Sequence, residues 1–414
     1  MVSEEQIDLI VERLVSRIDN ANTYFLKKIG ESIKAIRELS PSDAQQLVQI
    51  LKYGGSYEDI VREIQRYTNM NINEIDAIFN AYTQKDASFS RQFFRYRQIP
   101  FPTKNVALEA QKKAIAQVVK NDLYNFTREN VLGYSLTDLD GNVRFTGLRE
   151  TYNRVLDEAL LNVSQGKESF DSAMSHIMED IGGSGLKTID YASGRSIRLD
   201  SIARMHLKDG LRNLHNANQE ILGEQFQFDG WEISVHSNPA VDHMQVQGRQ
   251  FSREQYELLQ TTGTATDTTG KVINMHRENK DGEESDFFRP ISDYNCGHVA
   301  FSIVLGVSKP RYDEEQLQKI IDEGKQEFEF EGNKYNKYEG TQLQRKIERA
   351  IREQKDIQIL AKAGNNKELI DKSQEKISQL TSKYYDLSKK GNLPTRLERL
   401  RVNGYRKVAK SKLK

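Results

Sequence analysis

Near the start of the chain apolar residues recur at alternating spacings of four and three, at Ile7, Val11, Leu14, Ile18, Ala21 and Phe25. That spacing predicts one long amphipathic helix. Ser3 followed by Gln6 is a capping-box signature at its start, and Ser40-Pro41 is expected to end it. A narrow seam of this kind serves either as a bundle contact within the chain or as a coiled-coil face for another subunit. Shorter helices are expected over Asp43 to Lys52, Tyr57 to Tyr67 and Ile72 to Tyr82, with Gly54-Gly55 as a break. The segment Arg91-Gln-Phe-Phe-Arg-Tyr-Arg97 interleaves cations with aromatics. It reads as packed rings with snorkelling arginines, or as a nucleic-acid grip by stacking and charge.

From about residue 131 the periodicity mixes. Asp140-Gly141 between YSLTDL and NVRFTG signals a hairpin. Helices are expected over Leu148 to Ser164, Glu168 to Asp180 and Ser201 to Leu222, with the glycine-rich stretch Gly182 to Gly194 as a connecting turn. FDGWEISVHS alternates as a strand, with Trp231, Ile233 and Val235 on one face and Glu232, Ser234 and His236 on the other. Ala300 to Val307 is a short apolar run suited to a buried strand. Phe328 and Phe330 alternate with glutamates around a Gly332-Asn333 turn, a second hairpin. A helix over Gln342 to Ala363 follows, with Leu343, Ile347, Ala350 and Ile351 on one face and a Glu348/Arg352 pair at i,i+4. After Gly364-Asn365-Asn366 comes a partner helix with Ile370, Ile377, Leu380, Tyr384 and Leu387 in its seam, closing at Gly391. So short a connection predicts an antiparallel helical hairpin. The fold class is therefore α+β and helix-dominated. It divides into a helical N-terminal region (1–130), a central α+β domain with a small sheet (131–310), a hairpin plus helical hairpin (311–388) and a basic tail (389–414).

Composition narrows the function classes. With 37% hydrophobic residues and 7 prolines in 414 residues the chain can build packed cores. A mean hydropathy of -0.70 and the absence of a long apolar run exclude a bilayer-spanning helix. The opening MVSEEQIDLIVERL has acidic residues where a secretory signal carries basic ones, which argues against export by that route. Sixty basic and sixty acidic residues cancel, yet the last 26 positions hold ten Lys or Arg against the single acid Glu398. A tail at +9 behind a body at -9 suits a polyanion contact, with Arg399, Arg401, Arg406, Lys407, Lys410 and Lys412 as candidate nucleic-acid contacts. A solvated terminus would look the same.

The chemistry-bearing residues concentrate in the middle: His236 and His243 in HSNPAVDHMQVQG, then Cys296, the only cysteine, and His298 in YNCGH. Three imidazoles and a thiolate form a reasonable tetrahedral zinc set, although the Cys-x-His spacing is tighter than in common zinc knuckles. A nucleophilic Cys296 activated by imidazole, with Asp242 or Asn295 as orienter, is a second reading. The favoured one is a structural polar cluster without cofactor, in which the histidines hydrogen-bond loop backbone and Cys296 is buried. Glu327-x-Glu329 has the spacing of the acidic pair used in ADP-ribosyl transfer, but a solvated hairpin face explains it as well.

The succession YASGRSIRLDSIARMHLKDGL, WEISVHSNPAVDHMQVQGRQF, YNCGH, YEGTQLQRKIERAIREQK and RLERLRVNGY resembles the tailed-bacteriophage minor capsid protein 2 family from about Leu132 to Tyr405. The family motif falls here on His236, His243, Gln247-Gly248 and Asn295-Cys296-Gly297-His298. Gly297 stands where the family usually has arginine, and DFFRPISDY replaces its glycine-rich approach to the cysteine. The resemblance implies a non-enzymatic minor structural protein of the virion head, assembled in the host cytoplasm. It would sit near the portal vertex, with portal or major capsid protein and packaged double-stranded DNA as partners. A virion-carried enzyme is the alternative.

Overall fold

The seam of the first helix turns inward. The computed structural model describes residues 4–72, 74–102, 104–138, 140–163, 167–235, 239–277, 285–293 and 296–406. Helix α1 (Glu4–Arg37) buries Val11, Leu14, Ile18, Ala21 and Phe25 as the spacing predicts, and also Val15, Leu26, Ile29, Ile33 and Ile36. The apolar stripe is thus wider than a coiled-coil seam and is covered by the chain itself. Ser3 and the Ile7 side chain lie outside the described residues. Ser40-Pro41 does more than end α1: the Ser40 hydroxyl caps α2 (Pro41–Tyr53), where Pro41 takes the first-turn position that needs no N–H.

After the Gly54-Gly55 break, α3 (Ser56–Ile72) packs on α1, and α4 (Ile75–Tyr96) runs through the cation-aromatic segment. There Phe93 and Phe94 are buried against Phe226, and Arg97 donates from Nε to the Phe226 carbonyl at 3.2 Å. Arg91 lies 4.6 Å over the Phe101 ring. The aromatics are packing residues and the arginines cover them.

Helix α5 (Val106–Phe126) leads to the first sheet, formed by β1 (Leu132–Thr137), β2 (Val143–Gly147), β3 (Lys187–Asp190) and β4 (Arg195–Arg198) in the order β2-β1-β3-β4, all antiparallel. The Asp140-Gly141 hairpin forms, with Thr137 opposite Val143. Helices α6 (Leu148–Val163) and α7 (Lys167–Ser184) intervene. The stretch Gly182 to Gly194 departs from the expected loop, because α7 continues to Ser184 and most of the remainder pairs as the β3–β4 hairpin.

The long α8 (Leu199–Gln225) connects to a three-stranded sheet of β5 (Gly230–Ile233), β6 (Gln250–Ser252) and β9 (Ala300–Ile303), with β5 in the centre. Between β6 and β9 come α9 (Arg253–Thr262) and a small ribbon of β7 (Thr264–Thr266) and β8 (Val272–Asn274). After α10 (Glu314–Lys325), β10 (Phe328–Phe330) and β11 (Asn333–Tyr335) form the second expected hairpin. Its turn sits one residue early, on Glu331 and Gly332, both with positive φ as a tight hairpin turn requires. The chain then enters α11 (Lys337–Ala363) and α12 (Lys367–Lys390), an antiparallel pair with Ile351, Tyr384 and Leu387 in its core. The Glu348/Arg352 pair is not made: Arg352 turns to Asp200, and Glu348 accepts from the Tyr384 hydroxyl at 3.4 Å.

At 64% helix with small antiparallel sheets the fold is helix-dominated α+β. The largest core crosses the segment boundaries read from the sequence, joining Val11 to Ile36 with Leu132 to Leu214 and with Ile357 to Val402. A second junction is polar. Asp86 of α4 is wholly buried and accepts from Asn218 of α8 at 3.0 Å, while the His215 Nδ1 lies 2.7 Å from it and the His215 Nε2 lies 2.9 Å from the Ala300 carbonyl. One carboxylate thus ties α4, α8 and β9. Replacing Asp86 by alanine should cost about 3–5 kcal/mol by stranding these partners, read as a lower urea midpoint. An unchanged midpoint would contradict that role.

Candidate functional site

Strand β5 and the approach to β9 place the His/Cys residues. Beyond Ile233 the two strands stay zipped, the Ser234 N–H donating to the Val299 carbonyl at 2.9 Å and the Val299 N–H to the Ser234 hydroxyl at 3.0 Å. On one side a short 3-10 turn, Val241–His243, swings His243 inward; on the other the loop before β9 carries Cys296 and His298. The Cys296 Sγ lies 3.4 Å from the His243 Nδ1 and 3.6 Å from the His298 Nδ1. The three ligand atoms lie within 4.8 Å of one another, and all three residues are buried. The fourth residue of the set, His236, and the motif residue Asn295 lie outside the described residues.

The Nε2 of His243 lies 2.8 Å from the Arg289 carbonyl and must donate to it, since a carbonyl only accepts. Its Nδ1 is then the lone-pair nitrogen aimed at the thiol. Orientation of a ring by such a carbonyl is how ligating histidines are commonly fixed. Burial pushes the imidazole of His243 below its ordinary value and the thiol of Cys296 above its own. Neutral imidazole beside un-ionised thiol is poor equipment for a nucleophile. One of the two expected orienters is also committed elsewhere: Asp242 accepts from Arg289 Nε and Nη2, both at 3.0 Å, and from Arg277 Nε at 2.9 Å. Burial opposes ionisation of Asp242, but these guanidinium bonds prevail and hold its carboxyl below the usual range.

The Gln247-Gly248 pair has a steric reason. Gly248 has φ +66, its N–H returns to the Ile233 carbonyl at 3.0 Å, and a Cβ there would sit 2.6 Å from the Leu317 side chain. Gln247 is buried beside it. Next to them, sequence reasoning missed Arg249, which is 3% exposed and bonds Asp267 at 2.6 Å and Glu314 at 2.9 and 3.0 Å. Its partners lie 18 and 65 residues away, so no local spacing marks the cluster. Glu327 and Glu329, the acidic pair, stand exposed on the small hairpin.

The basic C-terminal residues separate. Arg399, read above as a nucleic-acid contact, is instead buried and bonds Asp8 at 3.0 Å. Arg401 and Arg406 are exposed, and Lys407, Lys410 and Lys412 lie outside the described residues.

Compared with known proteins, residues 2–387 match the family model of phage minor capsid protein 2. The chain belongs to that family. The match takes in the N-terminal helices, where the motif resemblance was loosest, and the His/Cys loops. The whole basic C-terminal segment of this minor capsid protein, 389–414, lies past its end. No curated protein and no solved structure gives a significant match. Among the described residues no helix is long and apolar enough to cross a membrane. The protein is thus a phage structural protein of the virion, expected to meet other head proteins. Gly248→Ala should destabilise it by roughly 1–3 kcal/mol through strain and overpacking against Leu317, measured by denaturant unfolding. A loss below about 0.5 kcal/mol would contradict the steric reading.

Proposed function

We propose that this minor capsid protein is a non-enzymatic component of the phage head that works at the portal vertex. It would contact portal or major capsid protein during head assembly or genome delivery. The family match over nearly the whole chain carries the reading. It is supported by a His/Cys cluster buried with its thiol un-ionised and by an acidic pair lying on an exposed hairpin. The protein should copurify with portal or capsid protein from assembling heads, and a gene knockout should yield few filled, infectious particles. Normal particle yield from the knockout would refute an essential assembly role.

Packaged double-stranded DNA is the second partner. With Arg399 turned inward, the contact falls to Arg401, Arg406, Lys407, Lys410 and Lys412. Binding to random-sequence duplex should weaken steeply with salt and drop on deletion of residues 407–414. Retention of full affinity in the deletion would exclude these lysines.

For the cluster we propose zinc in place of a bare polar group. Two imidazole nitrogens converge on one thiol with the three donor atoms within 4.8 Å of one another, so a zinc ion in place of the thiol proton could take all three. His236 or water would complete the set. Metal analysis should find stoichiometric zinc in the wild type and its loss in Cys296→Ser. Wild-type protein that stays zinc-free after refolding with zinc would leave the cluster purely structural.

A further inference from the structure

Next to the His/Cys loop, between α8, α11 and the turn Leu397–Leu400, lies an open cavity of about 460 Å³ with Cys296 and Gly297 in its wall. Eight Lys and Arg line it against two acids, Asp209 and Glu348. The arrangement follows from helical spacing. Arg204, Lys208 and Arg212 stack one turn apart on α8, while Lys346, Arg349 and Arg352 follow at intervals of three on the facing side of α11.

Part of this charge is neutralised from behind. Glu12 pairs with Arg204, Asp8 with Lys208 and Arg399, and Asp200 with Arg352. Counting those three acids, the balance is still eight positive to five negative. The excess faces the opening: Lys346 and Arg349 are exposed and have no acidic partner among the described residues. Deeper in, Arg352 and Arg399 are 8% and 9% exposed, and the Nε of each is buried without a hydrogen-bond partner among the described residues. Burial, and after it the neighbouring Arg198 charge, lower the Arg352 guanidinium to about 10. Cations crowded to that degree are stabilised by an anion among them.

We propose that this cavity binds a phosphate-bearing ligand of nucleotide size. Its volume falls in the range of small-molecule sites. A phosphate carries more charge and more acceptor oxygens than a single carboxylate, and guanidinium forks match it bidentately. Lys346 and Arg349 would take the phosphate at the mouth, Arg352 and Arg399 would supply the inner field, and Met205 and Val299 offer apolar wall for a base or sugar. A duplex is too wide to enter, so the source is a free nucleotide or the phosphate of a single strand.

The full chain is titrated calorimetrically with inorganic phosphate, dATP and a short single-stranded oligonucleotide. Wild type is compared with Lys346→Glu/Arg349→Glu and with a charge-matched control, Lys113→Glu/Lys376→Glu, on exposed faces away from the cavity. At least one probe should bind in the micromolar range, weaken about tenfold or more in the cavity variant and remain unchanged in the control. Preference for dATP over the strand identifies a free nucleotide as the source, and the reverse identifies a nucleic-acid strand. Absence of binding by every probe at millimolar concentration, or equal weakening in variant and control, would overturn the proposal.

Discussion

Burying α1 is the constraint on which the rest of the molecule depends. A helix covered on most sides cannot carry bare charges, yet α1 brings Asp8, Glu12, Asp19 and Asn22 into the interior or its margin. Each must be matched, because an uncompensated buried charge costs several kcal/mol. Arg204 of α8 takes Glu12; burial opposes ionisation, but the Arg204 bond and charge hold its carboxyl low. Lys208, Arg396 and Arg399 take Asp8. The Asn22 carbonyl accepts from the Tyr134 hydroxyl and the Leu186 N–H, both at 3.0 Å, which fixes the first sheet against the helix. Asp19 is least compensated. Burial and then the nearby Asp356 raise its carboxyl to about 7, while Arg198 and Arg352 pull the other way.

The same logic explains the junction of β4, α8 and α11. Arg198 bridges Asp200 at 3.2 Å and Asp356 at 3.0 Å, and Arg352 closes on Asp200. The acids and bases alternate, so removing one member strands the others. Helix α11 is therefore held to β4 and α8 by charge and to α1 by its apolar face, and the basic cavity is the outer rim of that network. Its cations face solvent where the acids run out.

Local patterns were readable and distant pairings were not. Periodicity located α1, α6, α8, α11 and α12, and turn chemistry located both hairpins, because these features depend on residues a few positions apart. The glycines from Gly182 onward misled, since a helix end and a tight strand pair use the same residue that loops favour. Rarity and the family motif brought His243, Cys296 and His298 under suspicion; their convergence depends on β5 and β9 lying side by side. Glu348 and Arg352 sit at ideal helical spacing, yet Asp200, 152 residues away, outcompetes the near neighbour. The Asp86 and Arg249 clusters left no mark along the chain for the same reason, and the two basic stripes of the cavity have helical spacing but nothing local says that they face each other.

The attachment of residues 396–403 to α1 also sets an order of events in time. Thr23 donates to the Asn403 carbonyl at 2.8 Å, Asn403 reaches back to the Ser16 carbonyl, and Arg399 reaches Asp8 across 391 positions. Synthesis proceeds from the other end, so α1 emerges from the ribosome long before the groups that neutralise it. Until residue 403 has cleared the exit tunnel, the earliest helix has an incomplete interior. Closure of the fold is thus postponed until residue 403 has been made, and a chain aborted before it would show an acid-bearing apolar surface to proteases and chaperones.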